Sequence, residues 1–246
     1  LVRSAQADNA EAYIAILVRS RTHLASIVPA LKTAGLNFAG QDIDKLASEP
    51  AVADFLALLR AWWHPADRAS WVSLLRAPFV GLSWDDCWVV ANAEDDALLS
   101  EKLCRLEHFD ASFAALGLSE EGRTRLQYLQ SVWTLVANQP RAVDVRWAVP
   151  ALWHSLGGSA CVNEQDRCNI ERVLALLAEH ADGGYLRDLS EFERALDKLY
   201  AQPAPANLEI MTIHKAKGLE FDVVILPGLG RTSRGSDSML FLEYAD

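Results

Sequence analysis

The four cysteines, Cys87, Cys104, Cys161 and Cys168, stand at irregular spacings with no C-x-x-C pair. That excludes the usual zinc-ligand pattern and a disulfide framework, and a reducing, cytoplasmic setting is expected. The six histidines are scattered and form no H-E-x-x-H pattern. No apolar run approaches the roughly 20 residues that a membrane-spanning helix requires, so no membrane partner is expected. No signal peptide is read in the N-terminal stretch "LVRSAQADNAEAYIAILVRS", which has no apolar core followed by a small-residue cleavage site. No fixed-period repeat appears, which argues against a helical solenoid. Positive charge is scarce: 23 Lys and Arg face 33 Asp and Glu, for a net charge of −10. An extended basic surface wrapping nucleic acid is thereby disfavoured, whereas a local phosphate contact built from a few donors is not.

What is present describes a globular, soluble chain. Apolar residues make up 51% and charged residues 23% of 246 positions, enough to bury a core in one or two domains. The sequence opens on leucine and ends at Asp246 without a closing helix pattern, so it is expected to be a piece of a longer polypeptide.

The first clear element is "YIAILV", Tyr13 to Val18, an unbroken apolar run suited to a strand covered on both faces. After "RSR" the stretch "THLASIVPALKTAG" reads as a helix on Leu24, Ile27, Val28 and Leu31, with Gly35 past its end and Pro29 awkwardly inside. Strand followed by helix begins an α/β unit. From about residue 48 the patterns are helical. "EPAVADFLALLRAWWHPAD" puts Val52, Phe55, Leu56, Leu59, Trp62 and Trp63 on one face. "WVSLLRAP", "DDCWVVANA", "TRLQYLQSVWTLVANQP", "NIERVLALLAEHADGG" and "LSEFERALDKLYAQP" follow. Ser190 and Glu193 have capping-box spacing, Gly183-Gly184 reads as a helix stop, and no persuasive strand occurs between 45 and 200. After the proline-rich joint "QPAPAN", strands return as "LEIMTI" and as "DVVILP", the latter read as buried on both faces. The simplest fold class is α/β, one parallel-sheet domain interrupted by a helical insertion. A helical domain between unrelated fragments and a mixed fold are the alternatives.

Between the last two strands lies a knot of polar residues. Open parallel sheets bind ligands beyond the carboxyl ends of their strands, where loops converge. Thr212 and His214 stand where "LEIMT" ends and can donate to phosphate or sugar oxygens without reading bases. Lys215 and Lys217 add positive charge, Gly218 permits a turn or close approach, and Glu220 can accept from a sugar hydroxyl. The same residues also allow a purely structural reading. Thr212 ends a strand, His214 satisfies a carbonyl, the lysines form a solvated face, and Gly218 terminates a helix.

"IMTIHKAKGLEFDVVIL" resembles motif V of superfamily-1 helicases of the UvrD/Rep/RecB type over the whole motif. "IAILVRSRTHLASIVPALKTAGLNF" is similar to the strand and helix that precede the helical insertion in that family. Its "LVRSR" lies nearer the RecB/AddA-like exonuclease V branch than the UvrD/Rep branch, where asparagine is usual in place of Arg21. "EPAVADFLALLRAWWHPADRASWVSLLRAPFVGLS" is similar to the helix leading into the insertion, and the three segments keep the family order. Residues 90 to 195 match only in being helical and correctly placed.

The resemblance implies part of the second RecA-like domain, a parallel-sheet domain of the P-loop NTPase type, interrupted by a large all-helical 2B-type insertion. Residues 1–65 would be its first part, 66–200 the insertion and 201–246 the return carrying motif V. It implies that Thr212, His214 and Arg19 meet the single-stranded DNA backbone, and that Gly218 and Glu220 sit by the nucleotide. Lys217 fits the motif without an assigned ligand. In the parent it implies ATP with Mg2+, an ATP-dependent DNA helicase translocating on single-stranded DNA in repair or recombination, and a possible exonuclease domain. A partner subunit of a helicase-nuclease complex is a further implication.

No Walker A loop is found. "GRTSRGSD", residues 230 to 237, has glycines at P-loop spacing but Ser236 where the lysine belongs, and reads as a loop. The arginine-bearing motifs on either side of this segment are expected before residue 1 and after residue 246. No catalytic residue is assigned here, and the isolated piece is expected to be inactive. Two rivals remain. One is a non-motor, helicase-derived scaffold or protein-interaction module, whose surface some of the eight tryptophans could form, although core packing is the simpler role for them. The other is an unrelated α/β nucleotide-binding enzyme, for which no G-x-G-x-x-G stretch is present.

Overall fold

A computed structural model describes residues 1–40, 43–92, 98–104, 117–137, 144–201 and 206–228. The "GRTSRGSD" loop lies outside the described residues, as does most of the "QPAPAN" joint. The chain divides into two compact units, residues 1–41 with 204–246, and residues 42–203. The second is therefore inserted within the first along the chain.

The first unit is an α/β layer. Helix α1 (Val2–Asp8) leads to strand β1 (Ile14–Val18), helix α2 (Leu24–Thr33) and the short β2 (Ala39–Gly40). The chain returns as β5 (Leu208–Thr212) and β6 (Val223–Ile225). All pairings are parallel, in the order β2-β5-β1-β6. Ile14, Ala15, Ile16 and Val18 are buried, as an apolar run in a central strand requires. Helix α2 runs through Pro29, which forfeits one intrahelical hydrogen bond. Strand β6 departs from the expected burial on both faces: Val224 is 48% exposed. Its one strand partner among the described residues is β1, and its flank borders a cleft of about 540 Å3 lined also by Ser4, Asp8 and Asn9.

The second unit is helical: α3 (Pro50–Trp63), α4 (Arg68–Arg76), α5 (Trp84–Asn92), α6 (Leu99–Cys104), α7 (Glu120–Ala137), α8 (Val145–Ser155), α9 (Glu164–His180) and α10 (Leu189–Leu196). Helix α3 starts with proline in its first turn, where no intrahelical donor is lost. It buries Val52, Phe55, Leu56, Leu59 and Trp62 in a core shared with Trp71, Leu126, Leu152, Val173 and Phe192. Although read from sequence as part of the first domain segment, α3 packs within this unit.

Three local expectations are corrected here. A two-residue antiparallel ladder, β3 (Ala181–Asp182) with β4 (Tyr185–Leu186), occurs where no strand was expected. Gly183 and Gly184 both have positive φ, so they form a tight hairpin turn rather than a simple helix stop. Ser190 does not cap α10. The carboxylate of Asp188 accepts from the Ser190 and Glu191 amides, while Glu193 accepts from Arg60 Nε at 2.6 Å. Asp188→Ala is therefore expected to lower stability by about 1 kcal/mol and Ser190→Ala by only a few tenths, read from urea unfolding.

The tryptophans divide. Trp62, Trp71, Trp133 and Trp153 are buried, with the Trp71 and Trp133 rings 4.6 Å apart between centroids. Trp84 and Trp88, one turn apart on α5, are 69% and 68% exposed.

Candidate functional site

The parallel register aligns the carboxyl ends of β1 and β5. Val18 stands opposite Thr212, and the Ile213 amide donates to the Val18 carbonyl at 3.0 Å. Arg19, the residue after β1, thus emerges beside the start of the segment that follows β5. Arg19 and His214 are exposed and Thr212 is half-buried. These residues, far apart in sequence, share one sheet edge through backbone pairing alone. Hydroxyl, imidazole and guanidinium groups placed there can donate to the oxygens of a phosphodiester backbone.

Beyond Thr212 the chain turns. The Thr212 carbonyl accepts from the Lys215 amide at 2.9 Å and the Ala216 amide at 3.2 Å, and the Leu219 amide donates to the Ala216 carbonyl at 3.1 Å. Gly218 has φ +87°, a conformation that L side chains rarely adopt, and a β-carbon there would meet nothing within 4 Å. The turn requires glycine for its backbone, and the space beside it is open. Lys217, Gly218 and Glu220 are exposed.

The segment then descends to the opposite edge of the sheet. The Asp222 amide donates to the Tyr13 carbonyl at 2.9 Å, and the Tyr13 amide donates to Asp222 Oδ2 at 2.8 Å. The Tyr13 and Phe221 rings stack with centroids 5.2 Å apart. The Tyr13 hydroxyl donates to Glu209 Oε1, and this bond, with burial and the Glu209 charge, pushes the phenol up to about 12. Register therefore brings Arg19, Thr212 and His214 to one edge, whereas Gly218 and Glu220 lie on the strap between the two edges. Sequence reading missed Tyr13, Glu209, Phe221 and Asp222. The available signal was an aromatic residue heading each of two parallel strands.

Among the described residues no group of three or more His, Cys, Asp and Glu could hold a metal ion, and no helix is long and apolar enough to cross a membrane.

A family model described as the UvrD-like helicase C-terminal domain matches residues 161–233. The chain is 29% identical over 247 residues to an "ATP-dependent helicase/nuclease" subunit of Streptococcus pneumoniae (strain CGSP14), covering 92% of this chain and 20% of that protein. It is 28% identical over 247 residues to the "Exonuclease/helicase subunit RexA" of Streptococcus pneumoniae serotype 4 (strain ATCC BAA-334 / TIGR4), with the same coverage. The corresponding "ATP-dependent helicase/nuclease" subunit of Geobacillus kaustophilus (strain HTA426) is 23% identical over 231 residues, 89% of this chain and 18% of that protein. The chain spans about a fifth of the length of these curated relatives. The family-model match and these relatives agree in kind: the chain carries a match to the UvrD-like helicase C-terminal domain and is similar over most of its length to subunits of ATP-dependent helicase/nucleases.

Proposed function

We propose that this chain is part of an ATP-dependent DNA helicase/nuclease that translocates on single-stranded DNA. The sheet unit is the second RecA-like motor domain, and the helical unit is its 2B-type insertion. The return segment, residues 201–246, carries the ligand-binding strap. Arg19, Thr212 and His214 hold the DNA backbone, and Gly218 and Glu220 meet the nucleotide. One observation supports this most directly. The Val18–Thr212 register places Arg19 and the Thr212–His214 segment at the carboxyl edge of a parallel sheet, where such sheets bind their ligands.

The residues of the strap fit the sugar end of a nucleotide: an exposed carboxylate on Glu220, close to the open space at Gly218 along the chain. They do not form a phosphate cradle, so the groups that hold the phosphates and Mg2+ are assigned to other parts of the protein. When bound, ATP with Mg2+ supplies the free energy of phosphoryl transfer. The strap's own role is connection, since one short covalent segment joins the DNA-facing edge to the nucleotide-facing residues. A partner protein of a helicase-nuclease complex is proposed because the relatives are named as subunits.

In the full-length protein, Thr212→Ala combined with His214→Ala should weaken single-stranded DNA binding about tenfold, for two lost backbone contacts of about 0.5–1.5 kcal/mol each. Fluorescence anisotropy at fixed salt measures it, and unchanged affinity would remove the DNA assignment.

A second reading, a helicase-derived scaffold that binds partner proteins, is favoured by the exposed Trp84 and Trp88 on α5, with the Arg76 guanidinium 5.5 Å from the Trp84 ring centroid. It predicts a folded full-length protein without DNA-stimulated ATP turnover.

A further inference from the structure

We propose that Tyr13 is a positioning residue for the nucleotide-facing strap, holding Glu220 in place by clamping the residues that follow it. The inference rests on the assignment of Glu220 to nucleotide made above. Tyr13 engages the strap through its main chain and its ring. Its amide donates to Asp222 Oδ2 at 2.8 Å, and its carbonyl accepts from the Asp222 and Val223 amides at 2.9 and 3.3 Å. Its ring stacks on Phe221, the residue next to Glu220, at an interplanar angle of 23°. Its hydroxyl donates to Glu209, which β5 holds opposite Ala15 of β1. One side chain is thus tied to β5 at its tip and to the strap along its face.

The upstream end of the strap is fixed independently, by the turn on the Thr212 carbonyl and by the Ile213 amide on Val18. With both ends held, the conformation of Gly218–Glu220 is restricted to a short span. A ligand-binding carboxylate benefits from such restriction, because a group held near its bound position needs no ordering when ligand arrives. Main-chain bonds at Tyr13 do not depend on its side chain and are kept in leucine and phenylalanine variants. The ring and the hydroxyl are therefore the parts that a variant can separate.

In the full-length protein, Tyr13→Leu removes the stack and the hydroxyl, Tyr13→Phe removes the hydroxyl alone, and Phe221→Leu removes the stack from the other side. Amide hydrogen exchange across residues 213–222 should accelerate about fivefold in Tyr13→Leu and Phe221→Leu, the range set by loss of one aromatic pair, and less in Tyr13→Phe. The KM for ATP should rise by a similar factor, about fivefold, with DNA affinity in the absence of nucleotide unchanged, because the DNA-facing edge is fixed separately. On a Glu220→Ala background Tyr13→Leu should raise KM no further, since both act through one carboxylate. Exchange that stays at the wild-type rate in both Leu variants overturns the clamp. So does a KM increase that persists in full on the Glu220→Ala background. Faster exchange in a protein whose ATP KM is unaffected by Glu220→Ala overturns the nucleotide assignment instead, and with it the positioning role.

Discussion

Replacing Asp86 with alanine is expected to destabilise the helical unit by about 1–3 kcal/mol, because it removes a buried acceptor shared by part-buried donors at two helix N-termini. Asp86 is 4% exposed. Its carboxylate accepts from the Ser119 amide at 2.8 Å, the Ser119 hydroxyl at 2.8 Å and the Ser83 hydroxyl at 2.7 Å. Each serine also caps a helix: Ser83 Oγ accepts from the Asp86 amide in α5, and Ser119 Oγ from the Gly122 amide in α7. One carboxylate therefore joins the N-termini of two helices. Burial pushes its pKa up, but the Ser119 amide, the two hydroxyls and the Arg125 charge outweigh burial and hold it below the ordinary carboxylate range. The sign follows. A folded-state pKa below the unfolded one gives stability that is present above the unfolded pKa and is lost as pH falls through the folded pKa. Wild-type stability should fall in acid below the ordinary range near pH ~4, and Asp86→Asn should flatten that dependence while lowering stability at neutral pH. Urea unfolding at neutral pH and at several acidic values measures both. Equal pH dependence in the two proteins would remove Asp86 from the acid transition.

Glu220→Ala in the full-length protein is expected to raise the KM for ATP by about tenfold or more. A hydrogen bond from a sugar hydroxyl to an ionised carboxylate contributes about 1.5–3 kcal/mol, and about 1.4 kcal/mol is a factor of ten. Glu220→Gln keeps an acceptor without the charge and should fall between alanine and wild type. The exposed position of Glu220 makes misfolding a poor explanation for either change. Steady-state hydrolysis over a range of ATP concentrations gives the comparison. An alanine variant with wild-type KM would detach Glu220 from the nucleotide.

Much of this molecule was legible in local pattern. The run Tyr13 to Val18 announced a central strand because both faces are buried, and Pro50 with the spacing from Val52 to Trp62 announced α3. Thr212 and His214 were singled out because a short strand ends in polar side chains, and the roles proposed for them came from the resemblance to motif V rather than from local pattern. Helix α8 was missed for a physical reason: Pro150 lies mid-helix and Trp147 is 59% exposed, so its apolar pattern is blurred. Strand β6 was read as buried on both faces because Val223, Val224 and Ile225 are apolar, yet sequence does not say how far either face is covered, and Val224 is exposed among the described residues. Capping at Ser190 was misassigned because Asp188, two residues earlier, competes for the same amides and carries charge. The contacts of greatest consequence were not legible. Asp86 meets Ser119 across 33 residues, and Tyr13 meets Asp222 across 209, so only the folded register shows either pair.

The most direct test of the strap as a joint between DNA and nucleotide is ATP hydrolysis by the full-length protein, with and without single-stranded DNA. Wild type is measured beside the variant carrying Thr212→Ala and His214→Ala. Turnover should rise with DNA in wild type, and the variant should keep its DNA-free rate while losing most of that rise. Equal stimulation in both proteins, or none in a folded wild type, would contradict a strap that joins the two ligands.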